Sequence, residues 1–236
     1  MPAGPESVRE TMISHDYRCI FIHIPKCAGT SIEAVLQHHR DNTGRGRQDH
    51  RTLAQVEPWG PKYLLSWSSW LATRKNIGFR RRNRNNSANL RTVNQEQYRS
   101  YFRFSVVRDP WERCYSAYRN VIRDELHMKE VESFDGSFGD FMRKNVGKGM
   151  LRPQTYWLKN RAGEIDLHFV ARFENLREDF SEVCRRLGLE DQQLPVLLRG
   201  QSGESLREAC DEETDLIIRK HYREEIELFN YSSPFR

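Results

Sequence analysis

The sequence of 236 residues has no run of the ~18–20 consecutive apolar residues that a membrane-spanning helix requires. Its first residues also lack the apolar stretch of a secretion signal. The five cysteines are odd in number and none are spaced as C-x-x-C, which disfavours both a disulfide framework and a zinc site. These absences predict a soluble protein with no membrane span in this chain, and we expect it in the cytoplasm.

Acidic residues are absent from residues 58–95, although the whole chain carries 33 of them. The stretch contains basic residues and tryptophans instead: Lys62, Arg74, Lys75, Arg80, Arg81, Arg82, Arg84 and Arg91, with Trp59, Trp67 and Trp70. One interpretation is a solvated insertion that is partly disordered, in particular at residues 80–89. The other is a cationic surface with aromatic platforms for a long anionic or sugar substrate. The net charge of +5 favours anionic ligands in general, but no nucleic-acid-binding motif is present.

Three β-rich segments separated by helical patterns predict the fold class. They are residues 19–24, 101–107 and 165–171. Strands that alternate with helices predict an α/β protein, a three-layer sandwich with a central parallel sheet, which binds ligands at the carboxyl ends of its strands. The length favours a single domain at residues 18–236, preceded by a loose lead-in at residues 1–17 and carrying the basic insertion at about 58–95.

Capping residues and apolar periodicity predict the helices. They are Ile32–His39, a short helix within residues 50–57, a helix capped by Asp109 with Pro110 first, Phe134–Lys144, a helix from Asn175 to Gly188, and one long final helix, Asp211–Phe229.

The stretch at residues 19–32 combines features that bind anions. An apolar strand ends at Pro25, which cannot donate to a sheet ladder. Lys26, small side chains, Gly29 and two hydroxyl residues follow, and one of these hydroxyls is expected to cap the next helix. Backbone N–H groups and the helix dipole at such a turn favour negative charge. The order differs from the G-x-x-x-x-G-K-[ST] loop of nucleoside triphosphatases, because Lys26 precedes the only glycine.

A second anion site is predicted where the strand at residues 101–107 ends. Arg108 comes directly after that strand, and Asp109 and Pro110 then begin a helix that carries Ser116. The planar guanidinium group of an arginine donates two hydrogen bonds to a phosphate at once. Ser116 adds a hydroxyl if the helix folds back toward the strand end.

Both segments resemble motifs of the sulfotransferases. Residues 25–31, Pro-Lys-Cys-Ala-Gly-Thr-Ser, resemble the 5′-phosphosulfate loop P-K-x-[AG]-[GS]-[ST]-[ST], and residues 104–118 resemble the 3′-phosphate motif V-R-[DN]-P-x-x-R-x-x-S-x-[YF]. The second pattern is that of the Golgi-type carbohydrate sulfotransferases and their bacterial relatives, and residues 169–176 and 221–231 resemble the same branch. The resemblance covers most of residues 18–231.

The resemblance implies a P-loop-like phosphosulfate loop and an enzyme that moves a sulfuryl group from 3′-phosphoadenosine-5′-phosphosulfate (PAPS) to a hydroxyl acceptor by in-line displacement. Lys26 would contact the bridging oxygen and offset charge on the departing phosphate. The donor would be bound by Lys26, Cys27, Ala28, Gly29, Thr30 and Ser31 at its 5′ end and by Arg108 and Ser116 at its 3′-phosphate. The product would be adenosine 3′,5′-bisphosphate, and no metal is required.

A hydroxyl acceptor also needs a general base near neutral pH, for which histidine is the usual residue. His50 occupies the place between the two motifs where this branch has its base, so it is the favoured base, with Lys26 as the other catalytic residue. The weaker candidates are His23, interpreted as a core histidine, His38, His39 and Glu174. Arg199 is a candidate for closing over the 3′-phosphate, although its surroundings depart from the family pattern.

Two other functions are compatible with the same residues. A non-catalytic protein that binds polyanions would use the arginines around residues 80–84, and an ATP-dependent P-loop kinase would use the lysine loop. The favoured acceptor is a saccharide, either neutral or anionic, and the alternatives are a peptide tyrosine and a small-molecule alcohol. The Golgi lumen is the alternative to the cytoplasm if an N-terminal anchor was removed.

Overall fold

A computed structural model describes residues 12–36, 48–60, 67–82, 90–189 and 205–235. The chain forms two compact units. One, here called the sheet unit, comprises Met1–Ile24, Ala28–Val106 and Trp157–Leu197, and the other, the helical unit, comprises Pro25–Cys27, Val107–Tyr156 and Leu198–Arg236. The prediction that residues 18–236 form a single domain therefore stays a prediction.

The sheet unit contains a sheet of four strands in the order β1-β2-β3-β4. The strands are β1 (Ile13–Ser14), β2 (Cys19–Ile22), β3 (Phe102–Val107) and β4 (Phe169–Arg172). β2 and β3 are parallel, and Cys19 lies opposite Phe102. Both strands are almost fully buried, as expected for strands covered on both faces, and all residues but Arg103 and Ser105 are apolar. The predicted α/β class is therefore confirmed.

The sheet differs from the prediction at its first strand. β1 pairs with β2 in the antiparallel direction, so the sheet is mixed rather than wholly parallel. The segment predicted to be a loose lead-in supplies this strand, because Met12 and Ile13 are apolar and have no exposed surface. Burial of two large apolar side chains explains why the chain is ordered here.

The predicted strand at residues 165–171 is displaced along the sequence. β4 starts only at Phe169, and Ile165 makes an isolated bridge to Lys159. Asp166 is held through Arg103 instead, whose Nε donates to the Asp166 carbonyl at 2.9 Å and whose Nη2 donates to the carboxylate at 2.8 Å. A side-chain ion pair thus replaces the expected ladder.

In chain order the helices are α1 (Gly29–Val35), α2 (Leu53–Val56), α3 (Trp67–Arg82), α4 (Gln95–Ser100), α5 (Pro110–Arg123), α6 (Glu125–Met128), α7 (Phe138–Asn145), α8 (Thr155–Leu158), α9 (Leu176–Leu187), α10 (Leu206–Ala209), α11 (Glu212–His221) and α12 (Arg223–Leu228). Three helices, α2, α5 and α9, lie where the sequence predicts them, and five of the others were not predicted. Among the described residues, no helix is long and apolar enough to cross a membrane.

Three predicted helices differ in their bounds. α7 begins at Phe138 rather than Phe134. α1 begins at Gly29 rather than Ile32, and neither predicted hydroxyl caps it, because Ala28 holds the cap position in a left-handed conformation without a side-chain bond. The long final helix is broken at Tyr222 into α11 and α12. The ring of Tyr222 is buried, and its hydroxyl donates to the carbonyl of Leu151 at 2.6 Å, so burial of this side chain accompanies the break.

The helical unit is built around α5. One face of this helix, including Trp111, Cys114 and Val121, packs in an apolar cluster with Phe141 of α7 and Ile218 of α11. The indole Nε1 of Trp111 also donates to Asp215 at 2.8 Å. Ile122 of the same helix is exposed instead. This packing fixes the first turn of α5, directly after Arg108.

The start of α5 generates a stability prediction. The carboxylate of Asp109 accepts a hydrogen bond from the N–H of Glu112 at 3.0 Å, which is the N-cap that the sequence predicts. We expect Asp109→Ala to lower the free energy of unfolding by about 1 kcal/mol in urea titrations, whereas Asp109→Asn, a good cap itself, should lower it far less. An unchanged midpoint for Asp109→Ala would contradict this role.

Candidate active site

The loop between β2 and α1 has an unusual backbone. Lys26 and Ala28 both have positive φ angles, 70° and 60°, although neither is glycine. Left-handed conformations of this kind cost energy in residues with a side chain and are common at functional sites.

The first turn of α1 shows which groups of the loop are already used. The N–H of Ser31 donates to the carbonyl of Ala28 at 3.0 Å, so this amide is partly engaged within the turn. The hydroxyl of Thr30 accepts a hydrogen bond from Nε2 of Gln48 at 2.8 Å, which leaves its own proton to donate. Gln48 was not anticipated from the sequence.

Lys26 belongs to the helical unit and is partly buried. Burial, and then the positive charges of Arg123 and Arg108, lower the pKa of the Lys26 ammonium group to about 8. Among the described residues, no carboxylate forms an ion pair with this lysine. A bound anion stabilises the charged form of such a lysine more than it does for an exposed lysine, because its negative charge offsets both the loss of hydration and the repulsion from the two arginines.

Arg108 belongs to the same unit and lies against the lysine loop. Its Nη1 is 3.4 Å from the carbonyl oxygen of Lys26, and its Nη2 donates to Glu112 at 3.2 Å. The structure therefore brings together the two cationic residues that the sequence predicts for opposite ends of one ligand. Ser116, on α5, is partly exposed, and no hydrogen bond to its side chain is seen in the described part of the chain.

His50 lies in the sheet unit, just before α2. Its Nδ1 is 3.1 Å from the backbone carbonyl of His23, and because a carbonyl only accepts, Nδ1 carries the proton. The neutral ring therefore presents Nε2 as its basic nitrogen. Burial and the neighbouring His23 lower the pKa of His50 to about 3, which keeps the imidazole neutral at physiological pH.

His23 is buried, as predicted for a core histidine, and has a charged partner that was not predicted. Its Nδ1 is 2.7 Å from the carboxylate of Glu33 on α1. Its ring centre is 4.4 Å from that of His50, and its Nε2 lies where a side chain on Gly29 would begin. The glycine is therefore required by a close approach between the first turn of α1 and this ring.

The remaining predicted residues are placed as follows. Cys27 is buried, like the other four cysteines, and all five are free thiols in the structure. Glu174 is exposed, in a 3-10 turn after β4. His38, His39 and Arg199 lie outside the described residues.

The basic stretch at residues 58–95 is helical over α3, so the expectation of disorder is wrong for residues 80–82. Trp70 and Ile77 on this helix are about half exposed, at 48% and 58%. Arg74 lies over the ring of Trp70 at 5.7 Å, while Arg80 and Arg81 are exposed. The described part thus presents cations and apolar groups to solvent on one helix. Residues 61–66 and 83–89 lie outside the described part.

Comparison with known proteins now assigns the family. The chain matches the Sulfotransferase family over residues 9–232, which is nearly its whole length. The chain belongs to the sulfotransferase family. The match includes both predicted phosphate motifs of this sulfotransferase chain and supports the resemblance drawn from them.

The individual relatives are distant. Carbohydrate sulfotransferase 11 of Rattus norvegicus is 22% identical to this sulfotransferase chain over 272 residues, covering 98% of the chain and 69% of the relative. The Mus musculus protein of the same name gives the same values. An uncharacterized protein of Archaeoglobus fulgidus is 27% identical over 101 residues, covering 42% of the chain and 78% of that protein. No solved structure gave a significant match.

The contact between Gly29 and His23 gives a prediction for this sulfotransferase. A methyl group on Gly29 would lie 1.9 Å from Nε2 of His23, so Gly29→Ala should lower the free energy of unfolding by about 1–3 kcal/mol. Removing the His23 ring should relieve the clash. In a His23→Ala background, Gly29→Ala should therefore cost less stability than it does in wild type.

Gly60→Ala is the matched control for this urea experiment. Its new methyl group would lie 3.4 Å from the nearest atom, Nε2 of Gln95, so it should change stability by less than about 0.5 kcal/mol. If Gly29→Ala behaved like this control, the close approach would not exist in solution.

Proposed function

We propose that this protein is a PAPS-dependent sulfotransferase that acts on a hydroxyl acceptor, in particular a carbohydrate. The observation that carries the proposal is the contact between Arg108 and the lysine loop, where Nη1 of Arg108 lies 3.4 Å from the carbonyl of Lys26. A nucleotide with a 5′-phosphosulfate and a 3′-phosphate needs cations at two neighbouring places. Family membership and the names of the distant relatives support the same reaction.

The proposed chemistry is an in-line displacement at sulfur. The bond from sulfur to the phosphate oxygen breaks, a bond to the acceptor oxygen forms, and adenosine 3′,5′-bisphosphate leaves. The Lys26 ammonium group stabilises the charge that develops on the departing phosphate, which lowers the barrier because this interaction is strongest in the transition state. Arg108 and Ser116 bind the 3′-phosphate, and the loop from Cys27 to Ser31 binds the 5′ end.

His50 is the proposed general base. Its Nε2 is the unprotonated nitrogen, because Nδ1 donates to the carbonyl of His23 at 3.1 Å. The acceptor proton moves to Nε2 as the oxygen attacks sulfur. Since burial and the neighbouring His23 lower the pKa of the His50 ring to about 3, the free ring is in the basic form before attack.

Ligand-dependent thermal unfolding distinguishes the three candidate functions. Adenosine 3′,5′-bisphosphate should raise the melting temperature more than ATP or heparin does at equal concentration, because it alone matches both cationic places. Selective stabilisation by ATP would favour the kinase instead. Stabilisation by heparin alone would favour the polyanion-binding protein, for which the exposed cations of α3 are the specific observation.

Replacement of Lys26 tests the proposed catalytic role. Lys26→Ala should leave the melting temperature within a few degrees of wild type and reduce sulfuryl transfer by ~10²–10³-fold, the usual cost of losing one group that stabilises transition-state charge. Lys148→Ala is the control, because this lysine is 62% exposed and pairs with Glu132 in the same unit. Turnover of Lys26→Ala close to that of the control would contradict the role.

The lowered pKa of Lys26 predicts a pH dependence. The charged form is the active one, and the free enzyme loses it as the pH rises through about 8, so kcat/KM for the donor should fall roughly tenfold per pH unit above that value. Lys26→Arg, whose side chain stays charged, should be less active but should not show this fall. A wild-type profile that is flat to about pH 9.5 would contradict the assignment.

A saccharide acceptor is proposed on two grounds. The rat and mouse relatives are named carbohydrate sulfotransferases. The exposed Trp70, Arg74 and Arg81 of α3 offer an aromatic face and cations of the kind that bind sugars and anionic groups. Activity assays with neutral and anionic oligosaccharides, compared with tyrosine peptides, test this choice.

A further inference from the structure

Gln154 is a fully buried residue of the helical unit and belongs to none of the predicted motifs. Its side-chain amide bonds to the backbone of Arg108 at two points. Oε1 accepts from the N–H of Arg108 at 2.8 Å, and Nε2 donates to the carbonyl of Arg108 at 2.8 Å. A residue whose N–H and C=O are both paired has its two peptide planes fixed, as in a sheet ladder. The direction in which the Arg108 side chain leaves the backbone is fixed with them.

The same amide is joined to the lysine loop. The Sγ of Cys27 donates to Oε1 of Gln154 at 3.4 Å, and Cys27 directly follows Lys26. Thiol hydrogen bonds are weak, so this contact contributes placement rather than much energy. The side chain of Gln154 thus contacts both the backbone of Arg108 and the residue that follows Lys26.

Glu225 fixes which way the Gln154 amide points. Its buried carboxylate accepts from the backbone N–H of Gln154 and from Nε2 at 3.0 Å. A carboxylate that accepts both bonds requires Nε2 on its side, which leaves Oε1 facing the N–H of Arg108 and the thiol of Cys27. The Gln154 amide then has two acceptors for its two N–H bonds and two donors for its oxygen, so it is fully satisfied.

Arg113 supports this arrangement from α5. Its guanidinium is buried and donates to the carbonyls of Met150 and Arg152 at 2.9 and 2.7 Å, which holds the chain just before Gln154. Burial raises the pKa of Glu225, and the nearby positive charge of Arg113 opposes that rise. The charged arginine and carboxylate therefore hold Gln154 from both sides.

We propose that Gln154 is a positioning residue for the sulfuryl donor. It holds Arg108 at a fixed place beside the Lys26 loop, so that the cations for the two anionic ends of the nucleotide are preorganised before binding. The inference rests on the proposed function, because it assigns Arg108 and Lys26 to one donor. Preorganisation matters here because two cations held close together repel each other and would separate without an internal connection.

The test compares two ligands in two matched variants by calorimetric titration. The ligands are adenosine 3′,5′-bisphosphate and adenosine 5′-monophosphate, which differ only in the 3′-phosphate. Gln154→Met keeps the length of the side chain and removes its hydrogen bonds. Asn145→Leu is the control, because the Asn145 amide pairs in the same way with the N–H and C=O of Glu132, at 2.7 and 3.1 Å, in the same unit.

We expect both variants to lose stability, and only Gln154→Met to lose the preference for the bisphosphate. The ratio of the two dissociation constants should fall by about tenfold or more in Gln154→Met, which is the size of effect expected when a hydrogen bond to a charged group is lost. It should be unchanged in Asn145→Leu. A merely structural role would weaken both ligands alike and leave the ratio at its wild-type value, and that result would overturn the proposal.

The outcomes separate this inference from the proposed function. If wild type itself shows no preference for the bisphosphate, the proposed function is overturned and the inference with it. If wild type shows the preference and Gln154→Met keeps it, only the inference is overturned. Gln154→Asn, a milder change, serves if Gln154→Met does not fold. Hydrogen exchange in wild type adds a check. Rapid exchange of the Arg108 N–H would mean that its hydrogen bond to Gln154 is not kept in solution, and would overturn the inference.

Discussion

The structure of the candidate site depends on holding Arg108 beside the loop that carries Lys26. Nη1 of Arg108 lies 3.4 Å from the carbonyl of Lys26, and the pKa of Lys26 is lowered to about 8 by burial and by its cationic neighbours. Such an arrangement costs stability, which the apolar packing of α5 and the hydrogen bonds around Gln154 offset. Under the proposed function, the negative charge of the bound donor would offset this repulsion.

Local signals in the sequence predicted much of the fold. β3, the cap at Asp109 and the stop of α9 at Gly188 are each determined by a few adjacent residues, and the structure has them where they were predicted. The errors in the predicted helices and strands lie where tertiary contacts override the local pattern. Tyr222 interrupts a pattern that reads as one helix, because its side chain is fixed by a carbonyl distant in the chain, and Asp166 is held by Arg103 rather than by a strand ladder.

The candidate site was predictable only where its residues sit in a short motif. Lys26 and Arg108 stand in such motifs, but the residues that orient them do not. Gln154 lies 127 residues from Cys27 and 71 from Glu225, and a single glutamine carries no signal of its own in the sequence. The same holds for Glu33, whose contact with His23 cannot be deduced from its place on a helix face.

In the sheet unit, Gly29 and His23 affect both the packing of the loop and the surroundings of the proposed base, His50. Gly29 is required because the ring of His23 occupies the space of a side chain, and the carbonyl of His23 in turn sets which nitrogen of His50 is basic. The packing of Gly29 against the ring of His23 is thus continued by the contact of that ring with the proposed base, 4.4 Å away between ring centres. This explains why a glycine stands at this position: the first turn of α1 comes close to the ring of His23, and that ring packs against the ring of His50.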